Sequence, residues 1–459
     1  MSFKLKKQQN SNDDGKNSTP AHLFFYSLCT TMSTCFEEGL ISIMTATPAT
    51  KKYHILMIAP TMFFADYGGH IRILEEAKIL RSLGHRLTIL AYPNGRDVAG
   101  LDIRRCLGVP FNYRVEVGSS RHRYYLDVML GLKSLTQVIK HKPDIIHAHL
   151  HEGAFLGWFL SKLTGAPLIF DFQGSLTGEM VDHHFLERSG LSFTFFRWLE
   201  ERVDHLPKVI LTSSLHAARL LKEDFGVPAG RIHPTPDCVD PETFQPSLLT
   251  DEAKIALKQS LNIPLHKKLI VYAGLLTSYQ GADHLLQAMH LLRQQRADFH
   301  LLLMGFPAVA HYQAMAQQLA IADLVTLTGK VPYEELPVRL AIGDLATAPK
   351  LSATEGCGKI LNYMSMGLPT VAFDTPVSRE FLGHQGIYAK VHTAEALAEA
   401  FNQALNMPAE ERARISFLLR QWAITNYSWL KTGQQLELVY QAVLAGHPQP
   451  ALAVKQATL

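Results

Sequence analysis

Residues 352–374, SATEGCGKILNYMSMGLPTVAFD, bring together residue types that could hold a phosphorylated, hydroxyl-rich ligand. Glu355 is followed by Gly356, Cys357 and Gly358, and Lys359 opens a short helical run reaching Met366, with Gly367 as its C-cap. Glycines let backbone approach a ligand closely, and the amides at a helix start favour anions. The lysine adds a point charge for phosphate, and the preceding carboxylate can accept sugar hydroxyls. Such a set suits a sugar nucleotide. A plain strand–loop–helix–strand unit with turn glycines would give the same letters, so the rest of the chain must decide. A second constellation is His147, His149 and His151, whose alternation places all three on one face of a strand. That spacing is compatible with a metal site and equally with strand-end side chains lining a cleft.

The elements that must position these residues follow a repeating pattern. Near-continuous apolar runs at 54–60, 86–92, 144–149, 167–172 and 208–214 are expected of parallel strands buried on both faces. An amphipathic helix is predicted over 71–83 after a loop holding Gly68 and Gly69, and helical stretches separate the other runs. The segment 234–246, PTPDCVDPETFQP, reads as a linker. A second series of runs follows at 269–274, 299–305, 324–329, 344–349, 369–374 and 386–390, and 415–444 is helical. Strands alternating with helices in this way mean doubly wound parallel sheets, two of them, with ligands expected at the carboxyl ends of the strands.

At 459 residues the chain is too long for one core. The expected division is a disordered or spurious extension over 1–50, a first Rossmann-like domain over 51–245, and a second over 246–414. Helices over 415–446 should pack back on the first domain, and 447–459 should form a loose tail. A net charge of +3 argues against a dedicated nucleic-acid binder. Five scattered cysteines read as reduced thiols of a cytoplasmic protein. No apolar run approaches the roughly 18 residues of a membrane span. Between Arg72 and Lys142 there are 13 Lys/Arg against 6 Asp/Glu, an excess of 7 that includes Arg104-Arg105, Arg121-His122-Arg123 and Lys140-His141-Lys142. Such a surface suits an anionic bilayer or an anionic glycan, or is a solvated helix face.

Several segments taken together resemble the retaining family-4 glycosyltransferases of the GT-B fold: APTMFFADYGGHIRILEEAKILRSLGHRLTIL, PDIIHAH, CVDPETFQP, the 272–284 loop, GKVPYEELP and the 352–374 stretch. The resemblance covers roughly 53–444. It implies an α/β architecture of two Rossmann-like domains facing across a cleft, with a nucleotide-sugar donor in the second and an acceptor in the first. By that resemblance Glu355 lies near the donor sugar, and Gly356, Cys357, Gly358 and Lys359 receive the diphosphate. Gly274 and Gln280 lie in the loop after the first strand of the second half, and Val331 lies near the base. Gly68, Gly69 and His70 belong to the phosphate or acceptor loop, and His149 is a strand-end residue of the acceptor side. The family binds no metal through the histidine positions, so neither metal nor cofactor is expected.

Three positions depart from the family pattern. The second carboxylate of its acidic motif is replaced by Asn362 if Met364 and Gly367 set the register, or by Tyr363 if the usual spacing from Glu355 does. An Arg and a Lys that hold the diphosphate are replaced by Leu275 and Gln280, so that Lys350, Lys359, a helix dipole or Arg379 must substitute. A His-Gly pair facing the sugar becomes Gln173-Gly174, and Gln173 cannot act as a base. Asp171 and Glu179 are carboxylates close to it.

The expected function is therefore transfer of a hexose from a nucleotide sugar to a glycan, lipid-linked or small-molecule acceptor, with retention. The expected setting is the cytoplasm, with peripheral contact at the inner face of an anionic membrane and no nucleic-acid partner. The alternative is a catalytically degenerate protein of the same fold that binds a sugar nucleotide or a partner enzyme without turnover, which Leu275, Gln280 and Gln173 favour. A nicotinamide dehydrogenase is disfavoured because neither half carries GxGxxG after its first strand.

Overall fold

The computed structural model describes residues 51–108, 123–183, 185–352 and 354–446. The expectations for 1–50, for the tail over 447–459 and for Arg121-His122 lie outside the described residues. Two all-parallel sheets organise the rest. The first has the order β3-β2-β1-β4-β5-β6-β7 and the second β10-β9-β8-β11-β12-β13. In both, the order reverses beside the first strand, so each sheet has a crevice at its carboxyl edge where ligands bind.

The first sheet consists of β1 (His54–Ala59), β2 (Arg86–Ala91), β3 (Ile103–Arg105), β4 (Ile145–His149), β5 (Leu168–Phe172), β6 (Val209–Thr212) and β7 (Ile232–Pro234). Every residue of β4, β5 and β6 is buried, as the apolar runs required. Its helices are α1 (Gly68–Ser82), α2 (Arg123–Lys140), α3 (Leu150–Thr164), α4 (Leu176–Asp182), α5 (Leu191–Asp204) and α6 (Leu215–Glu223). The α1 helix starts three residues before the predicted boundary, so Gly68 and Gly69 form its first turn rather than a preceding loop.

The second sheet consists of β8 (Lys268–Leu275), β9 (Phe299–Phe306), β10 (Val325–Gly329), β11 (Leu345–Ala348), β12 (Thr370–Phe373) and β13 (Ile387–Ala389). Its helices are α7 (Asp251–Ser260), α8 (Ala282–Arg293), α9 (Val309–Gln318), α10 (Leu336–Leu340), α11 (Lys359–Ser365), α12 (Pro376–Leu382) and α13 (Ala394–Asn406). The α11 helix ends where Gly367 takes a φ of 67°, a left-handed conformation that glycine adopts without strain.

Two further helices, α14 (Ala409–Asn426) and α15 (Trp429–Leu444), close the described chain. The α15 helix lies on α1, where Gly433 leaves room for Ile79. Tyr440 of α15 reaches β4, its hydroxyl 2.7 Å from Nδ1 of His147. The segment between the two sheets meets this returning chain directly: the Val239 amide donates to the Tyr427 carbonyl at 2.8 Å, and the Trp429 amide donates to the Val239 carbonyl at 3.4 Å.

Candidate functional site

A cavity of about 310 Å³ lies between the two sheets and is lined by both halves. Of the residues singled out in the sequence, Glu355, Gln173, Gly274, Gln280, Val331, Gly356, Cys357, Gly358, Lys359, Asn362, Gly68, Gly69 and His70 border it. His149 does not.

On the second half, Lys359 is the first residue of α11 and extends back over β8. Its ammonium lies 3.0 Å from Oε1 of Gln280 and 3.3 Å from the Tyr272 hydroxyl, and 4.4 Å from the centre of the Tyr272 ring. Burial pushes its pKa down to about 8. Gly274 passes beneath it with a φ of 151°, a conformation that residues with a Cβ rarely adopt. Gln280, at a position where the resembled family carries a cation, thus serves as an acceptor for a cation brought from α11.

Glu355 is bound by Lys350 at 2.5 Å, and the same ammonium donates to the Gly356 carbonyl at 2.7 Å. Burial works against the charge on Lys350, and Glu355 beside it more than offsets that, leaving its pKa raised. Lys350 therefore shapes the 355–358 loop. Arg379 takes no part in the cavity: it is engaged by both oxygens of Asp374, at 2.7 and 2.6 Å, and stacks over Tyr388. Among the described cations that line the cleft, Arg72, Arg123 and Lys350 are paired with carboxylates, whereas the hydrogen-bond partners of Lys359 are neutral.

The two residues that could hold the second position of the acidic motif are placed differently. The Tyr363 oxygen accepts from the Ala273 amide at 2.9 Å and is buried against β8, while Asn362 faces the cavity. Asn362 thus offers the cavity an amide, able to donate and accept but without charge.

On the first half, Arg72 of α1 organises a buried cluster. Its Nε donates to both oxygens of Asp171 at 3.0 and 3.1 Å, and its terminal nitrogens reach Glu76 at 3.0 Å and Asp237 at 3.2 Å. Burial opposes ionisation of Asp171, but Arg72 and His149 together outweigh it and hold the carboxyl well below the usual carboxylate range. An ionised carboxylate only accepts hydrogen bonds, so the Gln173 group 2.8 Å from Asp171 is its NH₂. The amide oxygen of Gln173 is then left against Gly69, where a Cβ would stand 2.5 Å from it. Gln173 offers the cleft an acceptor.

The strand-end histidines are corrected by the same cluster. His149 is fully buried, with Nδ1 2.9 Å from Asp171, and it stacks on His147 at 4.6 Å between ring centres. Both support the Arg72 cluster from behind the cavity. His151 lies beyond the strand, because Leu150 turns the chain with a φ of 60°, and it faces Asp204 at 3.3 Å and Glu200 at 3.6 Å. His70 borders the cavity but both ring nitrogens are occupied. Nδ1 accepts from the Ala65 amide at 3.0 Å, which leaves Nε2 to donate to the Thr61 hydroxyl. Burial holds its pKa down at about 3, so it is neutral and fixes the loop after β1 rather than binding an anion.

Other residues at the cavity carried little sequence signal. Glu179 of α4 has its pKa raised to about 8, by burial first and the nearby Glu355 second. His183 packs across the cleft on Tyr279, the ring centres 4.4 Å apart and the planes tilted by 51°, and neither of its ring nitrogens has a hydrogen-bond partner among the described residues. Arg123 opens α2, paired with Glu152 at 3.0 Å. Glu179 stands out in the sequence only as a carboxylate near Gln173 and Arg123 only as part of a basic run, and His183 lies in the polar run Asp182-His183-His184.

Among the described residues, two groups of side chains have metal-like spacing, Glu76/His147/His149/Asp171 and His151/Glu200/Asp204. The Arg72 guanidinium already supplies the cation of the first. In the second, His151 has its pKa raised to about 9, the neighbouring Asp204 and Glu200 outweighing burial, so the imidazolium supplies the charge. No helix among the described residues is long and apolar enough to cross a membrane.

Comparison with known proteins agrees with this two-sheet cleft. Residues 68–238 match the glycosyl transferase 4-like domain and residues 253–418 match glycosyl transferases group 1. The D-inositol 3-phosphate glycosyltransferase of Corynebacterium glutamicum is 24% identical over 326 residues, 69% of this chain and 76% of its own. Sucrose-phosphate synthase from Thermosynechococcus elongatus superposes with a TM-score of 0.72 at 17% identity, covering 86% of this chain and all of that one. HepE of Anabaena in complex with UDP-glucose superposes with a TM-score of 0.68 at 14% identity, over 86% of this chain and 100% of its own. With both halves matched by the corresponding domains, the chain is a group 1 glycosyltransferase of the GT-B fold.

Proposed function

We propose that this enzyme transfers a hexosyl group, with retention and without a metal, from a nucleoside diphosphate sugar to a hydroxyl of a glycan, lipid-linked or small-molecule acceptor. The observation that carries the reading is Lys359, a cation with neutral hydrogen-bond partners in the cleft and a pKa lowered to about 8. A cation kept in that state costs free energy unless an anion arrives to share its field. The 355–358 loop, Asn362 and Val331 surround the same space and suit the diphosphate, ribose and base of the donor.

In this reading Glu355, held by Lys350, accepts a hydroxyl of the transferred sugar, and Gln173 accepts another from the opposite wall. The bond from the anomeric carbon to the diphosphate oxygen breaks, with its electron pair going to the leaving phosphate beside Lys359. The acceptor oxygen forms its bond on the same face and gives its proton to that phosphate. Gln173, which cannot take a proton, is compatible with such a course.

UDP-, GDP- and ADP-sugars tested for binding and for nucleotide release examine the reading. Binding with nucleotide release is expected for one of them; binding without release across varied acceptors would support the non-catalytic alternative that Leu275 and Gln280 raise. Absence of binding to every donor would overturn both.

A further inference from the structure

Three helices of the first half carry apolar side chains on the face turned away from their sheet. On α2 they are Tyr124, Val128, Leu132 and Ile139; on α3, Phe155, Phe159 and Leu163; on α5, Leu191, Phe195 and Trp198. Within each helix most are three or four residues apart and so form a stripe. Their exposure is high, 73% at Ile139, 58% at Phe159 and 92% at Leu191. The opposite sides are ordinary core contacts, such as Leu126 and Leu130 on α2 and Ala154 and Leu160 on α3. The helices are neighbours in the order α2, α3, α5, which makes the stripes one surface. Ten large exposed apolar residues on one face exceed the scattered ones of an ordinary surface.

Basic residues outnumber the exposed carboxylates around this face, which include Glu187 and Asp144. Lys140, Lys142, Lys162, Arg188 and Arg202 are exposed. The carboxylates of the three helices are turned inward or engaged: Glu200 and Asp204 are buried against His151, Glu152 pairs with Arg123, Glu201 with Arg197, and Asp127 accepts from the Tyr92 hydroxyl. Aromatic and aliphatic side chains set among lysines and arginines are the composition of a bilayer interface with anionic headgroups. The face also leads to the cleft, because Arg123 and Leu150, the first residues of α2 and α3, line the cavity.

We propose that the outer face of α2, α3 and α5 docks on an anionic bilayer and turns the acceptor side of the cleft toward a lipid-borne headgroup. Docking itself is independent of the glycosyl-transfer reading; only the lipid-borne acceptor rests on it. The two are separable, since vesicle binding needs no sugar nucleotide.

The full chain is floated with vesicles of phosphatidylcholine alone and of phosphatidylcholine with phosphatidylglycerol. It should rise with the anionic vesicles, less so at high salt. The combined variant Phe155→Ser, Phe159→Ser and Trp198→Ser should lower partitioning about tenfold or more. Lys140→Glu with Lys162→Glu should lower it at least about fivefold per site. Both should keep the wild-type unfolding midpoint and nucleotide affinity, which reports that they fold. A chain that stays in solution with both vesicles would overturn the proposal, as would equal partitioning of wild type and variants, which would move the contact elsewhere. So would a wild-type dimer in light scattering that the serine variant dissociates, since the face would then join two copies.

Discussion

Arg72 of α1 and Lys359 of α11 both border the cleft, one from each half, and their surroundings differ in kind. Arg72 is held by Asp171, Glu76 and Asp237, with His149 and His147 behind them. Lys359 has an amide oxygen, a phenol and an aromatic face. Burial weighs on both cations, but the carboxylates raise the pKa of Arg72, whereas Lys359 is left at about 8. A cation with more negative partners than it needs is part of the framework; a cation with too few is positioned for something that is not protein. The same contrast separates the two lysines of the second half, since Lys350 is spent on Glu355.

Substitution should split the two regions. The largest effect is expected for Arg72→Leu, which leaves three carboxylates in a buried cluster without their cation. It should cost about 3–5 kcal/mol of stability in urea unfolding, and a variant as stable as wild type would show the cluster to be incidental. Glu355→Gln keeps a hydrogen-bonding group beside Lys350, and it should lower turnover by roughly 10²-fold with a much smaller change in unfolding midpoint. An unchanged turnover would remove Glu355 from the reaction. Lys359→Ala should weaken nucleotide diphosphate binding by about 10- to 100-fold, the range for a hydrogen bond to a charged group. Calorimetric titration measures it, and the fold should lose nothing.

The pH dependence gives a finer test. Lys359 binds phosphate as the ammonium, so nucleotide affinity should be level below pH 8 and fall above it, and Lys359→Ala should flatten the profile. Folding responds with the opposite sign. The folded pKa of about 8 lies below the ordinary 10.5, so the unfolded chain holds this proton more tightly, and the contribution of Lys359 to stability rises between those two values. The smallest effect is expected at Gln173, where Gln173→Leu removes one hydrogen bond from Asp171 and should cost about 1 kcal/mol. A rise in KM beyond a few-fold would show the amide oxygen to be a principal sugar contact.

The strands of both sheets were legible because a strand buried on two faces is apolar along most of its length, as at 55–59 and 269–273. The two that escaped, Ile103–Arg105 and Ile232–Pro234, are the three-residue edges of the first sheet and carry no such run. The start of α1 was misplaced because Tyr67 precedes it with no capping hydrogen bond from its side chain and two glycines follow. Around the cleft, Glu355, the glycines and Lys359 were legible from local spacing. The pairing of Lys350 with Glu355 depends on how the loop between them folds back on itself, and the fate of the histidines on β4 depends on partners distant in sequence. Periodicity placed His147 and His149 on one face correctly but could not say that Asp171 and Tyr440 wait there.

The hydrogen-bonded contact of Val239 with Tyr427 and Trp429 has a mechanical consequence. The polypeptide passes between the halves twice, and the two passages are fastened side by side. Two adjacent threads fastened in this way resist sliding and tumbling of the halves more than rotation about the line they define. A donor carried on one half would then meet the opposite wall along the same arc on every turnover, with little orientational freedom left to lose.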